Sequence, residues 1–100
     1  MSSNVPNVLS DSEIESRLLE LDGWSYIQED KLICKEFKFK GFMKTMSFVN
    51  AVAWEANRHM HHPDMEVGFN RALIQFTTHD AGGVSENDFK VAKAIDALMS

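Results

Sequence analysis

Cysteine is almost absent from this 100-residue chain: Cys34 stands alone, so no internal disulfide can form and a reducing, cytoplasmic setting is the expectation. Long apolar runs are missing as well. Nothing approaches the roughly 20 residues of a membrane span, and the N-terminus has neither the charged nor the apolar region of a signal peptide, so no membrane partner is expected. Positive charge is scarce, with a net charge of −5, which argues against the basic surface that nucleic acid requires. There is no Gly-x-Gly-x-x-Gly, no phosphate loop, no Gly-x-Ser-x-Gly elbow, no Cys-x-x-Cys and no His-x-x-x-His. No internal repeat points to a solenoid. What remains is an ordinary globular balance, 44% apolar and 25% charged, enough for one core. A small, polar leader over 1–8 is expected to be loose, with a single domain over 9–100.

Local signals order that domain. Ser10 with Glu13 has the spacing of a capping box, and Leu9 with Ile14 that of a hydrophobic staple. Ile14, Leu18 and Leu21 extend a first helix until Gly23. Two strands follow, Trp24 to Ile27 and Lys31 to Lys40, the second with Ile33, Phe37 and Phe39 on one face. A long helix is predicted from about Gly41 to about His61. Phe42, Met46, Val49, Ala53, Ala56 and Met60 form its core stripe, widened by Met43, Phe48, Val52 and Trp54. That is more apolar surface than one sheet needs, and the excess predicts a subunit interface. Pro63 ends the helix. Met65, Val67 and Phe69 alternate, Asn70-Arg71 turns, and Ala72, Ile74 and Phe76 alternate back. After Gly82-Gly83, Ser85 and Asp88 form a second capping box with Val84 and Phe89 as its staple. The last helix then turns Phe89, Ala92, Ile95 and Leu98 or Met99 inward. Helix, two strands, helix, two strands and helix predict an α+β fold, a four-stranded, mostly antiparallel sheet with three helices on one face.

All four histidines fall in two short stretches, His59-Met60-His61-His62-Pro63-Asp64 and Thr77-Thr78-His79-Asp80. Imidazole titrates nearest neutrality, so such a cluster points to proton transfer or metal binding. His61 and His62 fall at a helix C-terminus, where the dipole favours positive charge and suits a proton donor. His79 falls where a strand gives way to the Gly-Gly loop, and if that strand lies beside the helix end three imidazoles converge. Metal binding is the rival, with Asp64 and Asp80 as possible carboxylate ligands, but adjacent histidines do not share a helical face. His59, two residues from His61, points away and reads as a surface residue. Cys34, in mid-strand, reads as a structural thiol rather than a nucleophile.

The run His61-His62-Pro63-Asp64, the Phe69-Asn70 turn, Thr78-His79-Asp80, Gly82-Gly83 and Ser85-x-x-Asp88 together resemble the pterin-4a-carbinolamine dehydratases. Leu21-x-Gly23-Trp24 and Phe37-x-Phe39-x-x-Phe42 fit the same pattern, and the likeness spans nearly the whole chain. The resemblance implies loss of water from a 4a-hydroxytetrahydropterin to give quinonoid dihydropterin, with no cofactor, in recycling tetrahydropterin for aromatic amino-acid hydroxylases. It implies His61 and His79 as acid/base groups and His62 as the residue that orients the pterin. Met60 to His62 and Thr77 to His79 would line the substrate. It also implies a homodimer or homotetramer through the long helix. One position departs from the pattern: the family's usual glutamate four residues before the first histidine is Asn57 here. A protein-binding regulator on the same fold, a dimerisation cofactor, is the alternative reading.

Overall fold

Two of the three helices start with the device expected of them. In the computed structural model, which describes residues 7–99, Ser10 caps α1 (Asp11–Leu18) and Ser85 caps α3 (Glu86–Leu98). At α1 the Glu13 N–H donates to Ser10 Oγ at 3.2 Å, and the Ser10 N–H donates to Glu13 Oε1 at 2.8 Å. Each such cap contributes on the order of 1 kcal/mol. α1 ends earlier than the apolar spacing suggested, at Leu18 rather than Gly23. Beyond it the N–H groups of Leu19, Glu20 and Leu21 bond three residues back, a tightening that finishes the helix while Leu21 still packs on the core.

The strands are β1 (Ser25–Ile27), β2 (Leu32–Lys38), β3 (Asp64–Val67) and β4 (Arg71–Phe76), joined in the order β1-β2-β4-β3. Every neighbouring pair is antiparallel. The period of two then decides which face is dry: Ile33 and Phe37 from β2 and Ala72, Ile74 and Phe76 from β4 are buried, while Glu36 and Lys38 point outward. Against that face lie Val49 and Val52 of α2 (Phe42–Arg58), Phe89, Val91, Ala92 and Ile95 of α3, and Ile14 of α1. Each large side chain so buried is worth roughly 1.5–3 kcal/mol. Trp24, just before β1, packs edge-on to Phe37 with centroids 6.3 Å apart. Its indole N–H donates to the Asp96 carboxylate at 3.0 and 3.1 Å, and the same carboxylate takes Lys35 Nζ at 3.0 Å. This group ties β1, β2 and the end of α3.

Three expectations need correction here. The inward face of α2 is Thr45, Phe48, Val49, Val52 and Ala56, so of the six stripe residues only Val49 and Ala56 are buried. Phe42 and Ala53 face solvent, as do Met43 and Trp54, because apolar residues also occupy part of the outer face and packing, not composition, sets the phase of the helix. Thr45 is fully buried because its hydroxyl is used twice, donating to Gly41 O at 2.9 Å and Phe69 O at 3.0 Å. Val67 and Phe69 do not continue the inward alternation that Met65 begins in β3: both are exposed, Phe69 in the two-residue Phe69-Asn70 turn, which the Gly68 N–H closes onto Arg71 O. The α3 stripe stops at Ile95, with Leu98 and Met99 exposed. Of the leader, residues 1–6 lie outside the described residues, and Val8 bridges to Ser85.

Candidate active site

The C-terminus of α2 delivers the first two histidines. The helix ends at Arg58, with His59 as its C-cap, so His61 and His62 follow the helix rather than ending it. The chain then closes a Schellman motif: the Met60 N–H donates to Asn57 O at 3.1 Å and the His61 N–H reaches back to Ala56 O at 3.0 Å. Met60 occupies the left-handed position with φ +53, where glycine is the usual residue. That turn reverses the chain and drives the His61 ring inward while the Met60 side chain stays exposed.

His61 is the anchored member of the group. Its ring stacks nearly parallel on buried Phe76, at 11° and 5.9 Å between centroids. Its Nε2 lies 2.5 Å from Oδ1 of Asp88, a carboxylate with no exposed surface. Oδ2 of Asp88 accepts the Ser85 N–H at 2.8 Å and the Thr78 hydroxyl lies 2.9 Å from it. The Thr78 and Ser85 hydroxyls are 2.6 Å apart. Buried polar atoms that would each cost about 1–3 kcal/mol unpaired are therefore satisfied together.

His79 comes from the other direction. Thr78 and Gly83 bridge each other, with the Thr78 N–H donating to Gly83 O at 2.9 Å. Between them the 3-10 turn His79–Ala81 bulges outward and is closed by Gly82 in the left-handed region, φ +80. Upstream, the Thr77 hydroxyl holds the loop to Lys31 O at 2.7 Å. Met60, His61, His62, Thr77, Thr78, His79 and Asp80 together line one concavity of about 220 Å³. His61 lies half-buried on its wall, and His62 and His79 are exposed.

Other candidates lie elsewhere. His59 sits 3.7 Å from Glu55 on the α2 surface, and Glu55 also takes Arg58 at 3.2 Å. Asn57 is exposed and lines a shallow hollow with Asn50, Ala53 and Trp54, not the histidine concavity. Cys34 is half-buried in β2, and burial pushes its thiol up, away from a nucleophilic thiolate. Among the described residues no group of three or more His, Cys, Asp or Glu side chains is arranged to hold a metal ion. Sequence reasoning placed Asp88 in a capping box and in the Ser85-x-x-Asp88 element of the resemblance, but gave it no role at the site. Its signal was there in the Ser85-x-x-Asp88 spacing, but its partner His61 is 27 residues away.

The family model described as pterin 4 alpha carbinolamine dehydratase matches residues 7–98. The chain belongs to that family. A protein of Nitrosospira multiformis, provisionally named a pterin-4-alpha-carbinolamine dehydratase, is 52% identical over 91 residues, covering 91% of this chain and 79% of its own. The crystal structure of a transcriptional coactivator/pterin dehydratase from Brucella melitensis superposes with a TM-score of 0.89 at 34% identity, over 94% of this chain and all of that one. A pterin dehydratase-like protein identified as a RuBisCO assembly factor in the alpha-carboxysome shares the fold, with a TM-score of 0.65 at 23% identity over 77% of this chain and 89% of that one.

Proposed function

We propose that this protein dehydrates a 4a-hydroxytetrahydropterin to quinonoid dihydropterin and water, as a cofactor-free hydro-lyase in tetrahydropterin recycling. The observation that carries the reading is the meeting of three imidazoles on one concavity, one of them seated on a buried carboxylate. Hydroxide leaves poorly, so an acid must protonate the 4a-oxygen as the C4a–O bond breaks and the N5 lone pair moves into the bond to C4a. The cation that results loses a proton to a base, and water carries away the oxygen. Imidazoles do both tasks near neutral pH. His61 and His79 take the acid/base roles, and His62, exposed beside them, orients the ring. The backbone of Met60 to His62 and Thr77 to His79 borders the same concavity and offers polar groups to the pterin edge. The test is the loss of a 4a-hydroxytetrahydropterin in the presence of chelator-treated protein. Acceleration is expected, and activity that returns only with added zinc or iron would replace this reading with a metal mechanism.

A non-catalytic regulator is the second reading, because the Brucella relative is described as a coactivator as well as a dehydratase. A folded protein without dehydratase activity would favour it. The outer face of α2 supports a homodimer or homotetramer: Met43 and Trp54 are 74% and 72% exposed beside uncharged Asn50, Ala53 and Asn57. Sedimentation at micromolar concentration should report a dimer or larger. A fully active monomer would remove the interface.

A further inference from the structure

The hydrogen bonds behind His61 have a direction. The Ser85 N–H can only donate, so Asp88 Oδ2 accepts from it. With the same oxygen also 2.9 Å from Thr78 Oγ1, the arrangement that satisfies every group has the Thr78 hydroxyl donating to Asp88. Thr78 has then used its only proton, and the 2.6 Å contact to Ser85 requires the Ser85 hydroxyl to donate to Thr78. Ser85 Oγ in turn accepts the Asn87 N–H at 3.3 Å. The protons thus run one way, from Ser85 through Thr78 to Asp88, and leave Oδ1 as an acceptor facing His61. No buried side-chain nitrogen or oxygen among the described residues is left without a partner, so every polar atom of this chain of donors is used.

We propose that Thr78 and Ser85 are positioning residues that act through Asp88 to fix His61 as its Nε2-protonated tautomer, leaving Nδ1 as the nitrogen that exchanges a proton with substrate. With Nε2–H committed to Asp88, neutral His61 presents only the Nδ1 lone pair, and protonated His61 presents only Nδ1–H. A ring free to take the other tautomer would give the wrong atom for half its task. The inference rests on the dehydratase reading for its kinetic consequence, but the tautomer itself is defined without substrate. It also assigns Thr78 a role distinct from lining the concavity: its hydroxyl is spent inward, on Asp88, rather than on the pterin.

The experiment uses the full-length protein, labelled with ¹⁵N histidine, and long-range ¹H–¹⁵N spectra of His61 at a pH where the ring is neutral. The wild-type protein should show the Nε2-protonated form alone. In Thr78→Val, which keeps the shape and removes the hydroxyl, the spectrum should move toward a mixture. Turnover should fall about tenfold with KM changed less than about twofold, the scale of one hydrogen bond to a charged group. Thr78→Ser should restore both. Ser85→Ala keeps the backbone N–H on Asp88, and should give a smaller change in the same direction. It stands in if the valine variant does not fold. A wild-type Nδ1-protonated ring, a tautomer unchanged in both Thr78→Val and Ser85→Ala, or a Thr78→Ser variant as impaired as the valine would overturn the proposal. If the wild-type protein shows the expected tautomer but no dehydration, the function fails while the assignment of the ring stands.

Discussion

The two capping boxes of this protein begin alike and end in different trades. At α1, Glu13 Oε1 accepts the N–H of Ser10 at 2.8 Å, and at α3, Asp88 Oδ2 accepts the N–H of Ser85 at the same distance. Ser10 and Glu13 are exposed, and the bonds from Ser10 hold the Glu13 carboxyl below the usual glutamate range. Ser85 and Asp88 are fully buried. There the fold brings up the Thr78 hydroxyl against one carboxylate oxygen and the His61 ring against the other. A four-residue motif that only starts a helix on the surface becomes, once buried, the seat of a histidine. The difference lies in what the sheet and the α2 turn carry to it.

Exchanging each acid for its amide should separate the two boxes most. Asp88→Asn places an amide where three donors converge, and turnover should fall on the order of 10² or more in steady-state kinetics, because the His61 ring loses its tautomer and its orientation. Glu13→Gln should leave turnover unchanged. Equal activity in both variants would break the comparison. Next in size is stability. Asp88→Ala strands the Ser85 N–H, the Thr78 hydroxyl and the His61 N–H together, and should cost on the order of 3 kcal/mol in urea denaturation.

A smaller effect, and a gain, is expected where α2 turns toward the buried box. Met60 holds φ +53 with its side chain exposed, so Met60→Gly should raise stability by up to about 1 kcal/mol, the relief of the left-handed backbone offset by glycine's freedom when unfolded. A loss of stability would mean that Met60 packs on something in solution. The smallest change belongs to the surface box. A carboxylate whose pKa is lowered in the folded state contributes stability above its unfolded value and loses it as pH falls through the folded one. Glu13→Gln should therefore lower Tm slightly at neutral pH and make no difference once Glu13 itself is protonated. A difference that persists in strong acid would show that the side chain acts through packing.

Much of this was legible in the residues. Ser10 and Ser85 marked their helices, and the alternation of Ile33 and Phe37 and of Ala72, Ile74 and Phe76 gave the buried sheet face, because capping and the strand period are local. The histidine stretches marked the concavity. The phase of α2 was not legible, since Phe42, Met43, Ala53 and Trp54 are as apolar as the residues that are buried. Thr45 was hidden by a hydroxyl whose partner Phe69 O lies 24 residues on. Asp88 was visible as a cap and invisible as the partner of His61, for the same reason: long-range partners leave no mark on spacing. Trp24 likewise found its acceptor, Asp96, 72 residues away.

The most direct measurement is the rate at which chelator-treated protein dehydrates a 4a-hydroxytetrahydropterin, wild type beside the His61→Ala, His79→Ala double variant. Each acid/base group typically contributes on the order of 10² to 10⁴ in rate. The folded double variant should therefore fall close to the uncatalysed reaction, while each single change leaves residual turnover. His62→Ala in the same assay should act more on KM, and His59→Ala should do little. A double variant that stays folded and runs near the wild-type rate would contradict the assignment of the acid/base pair.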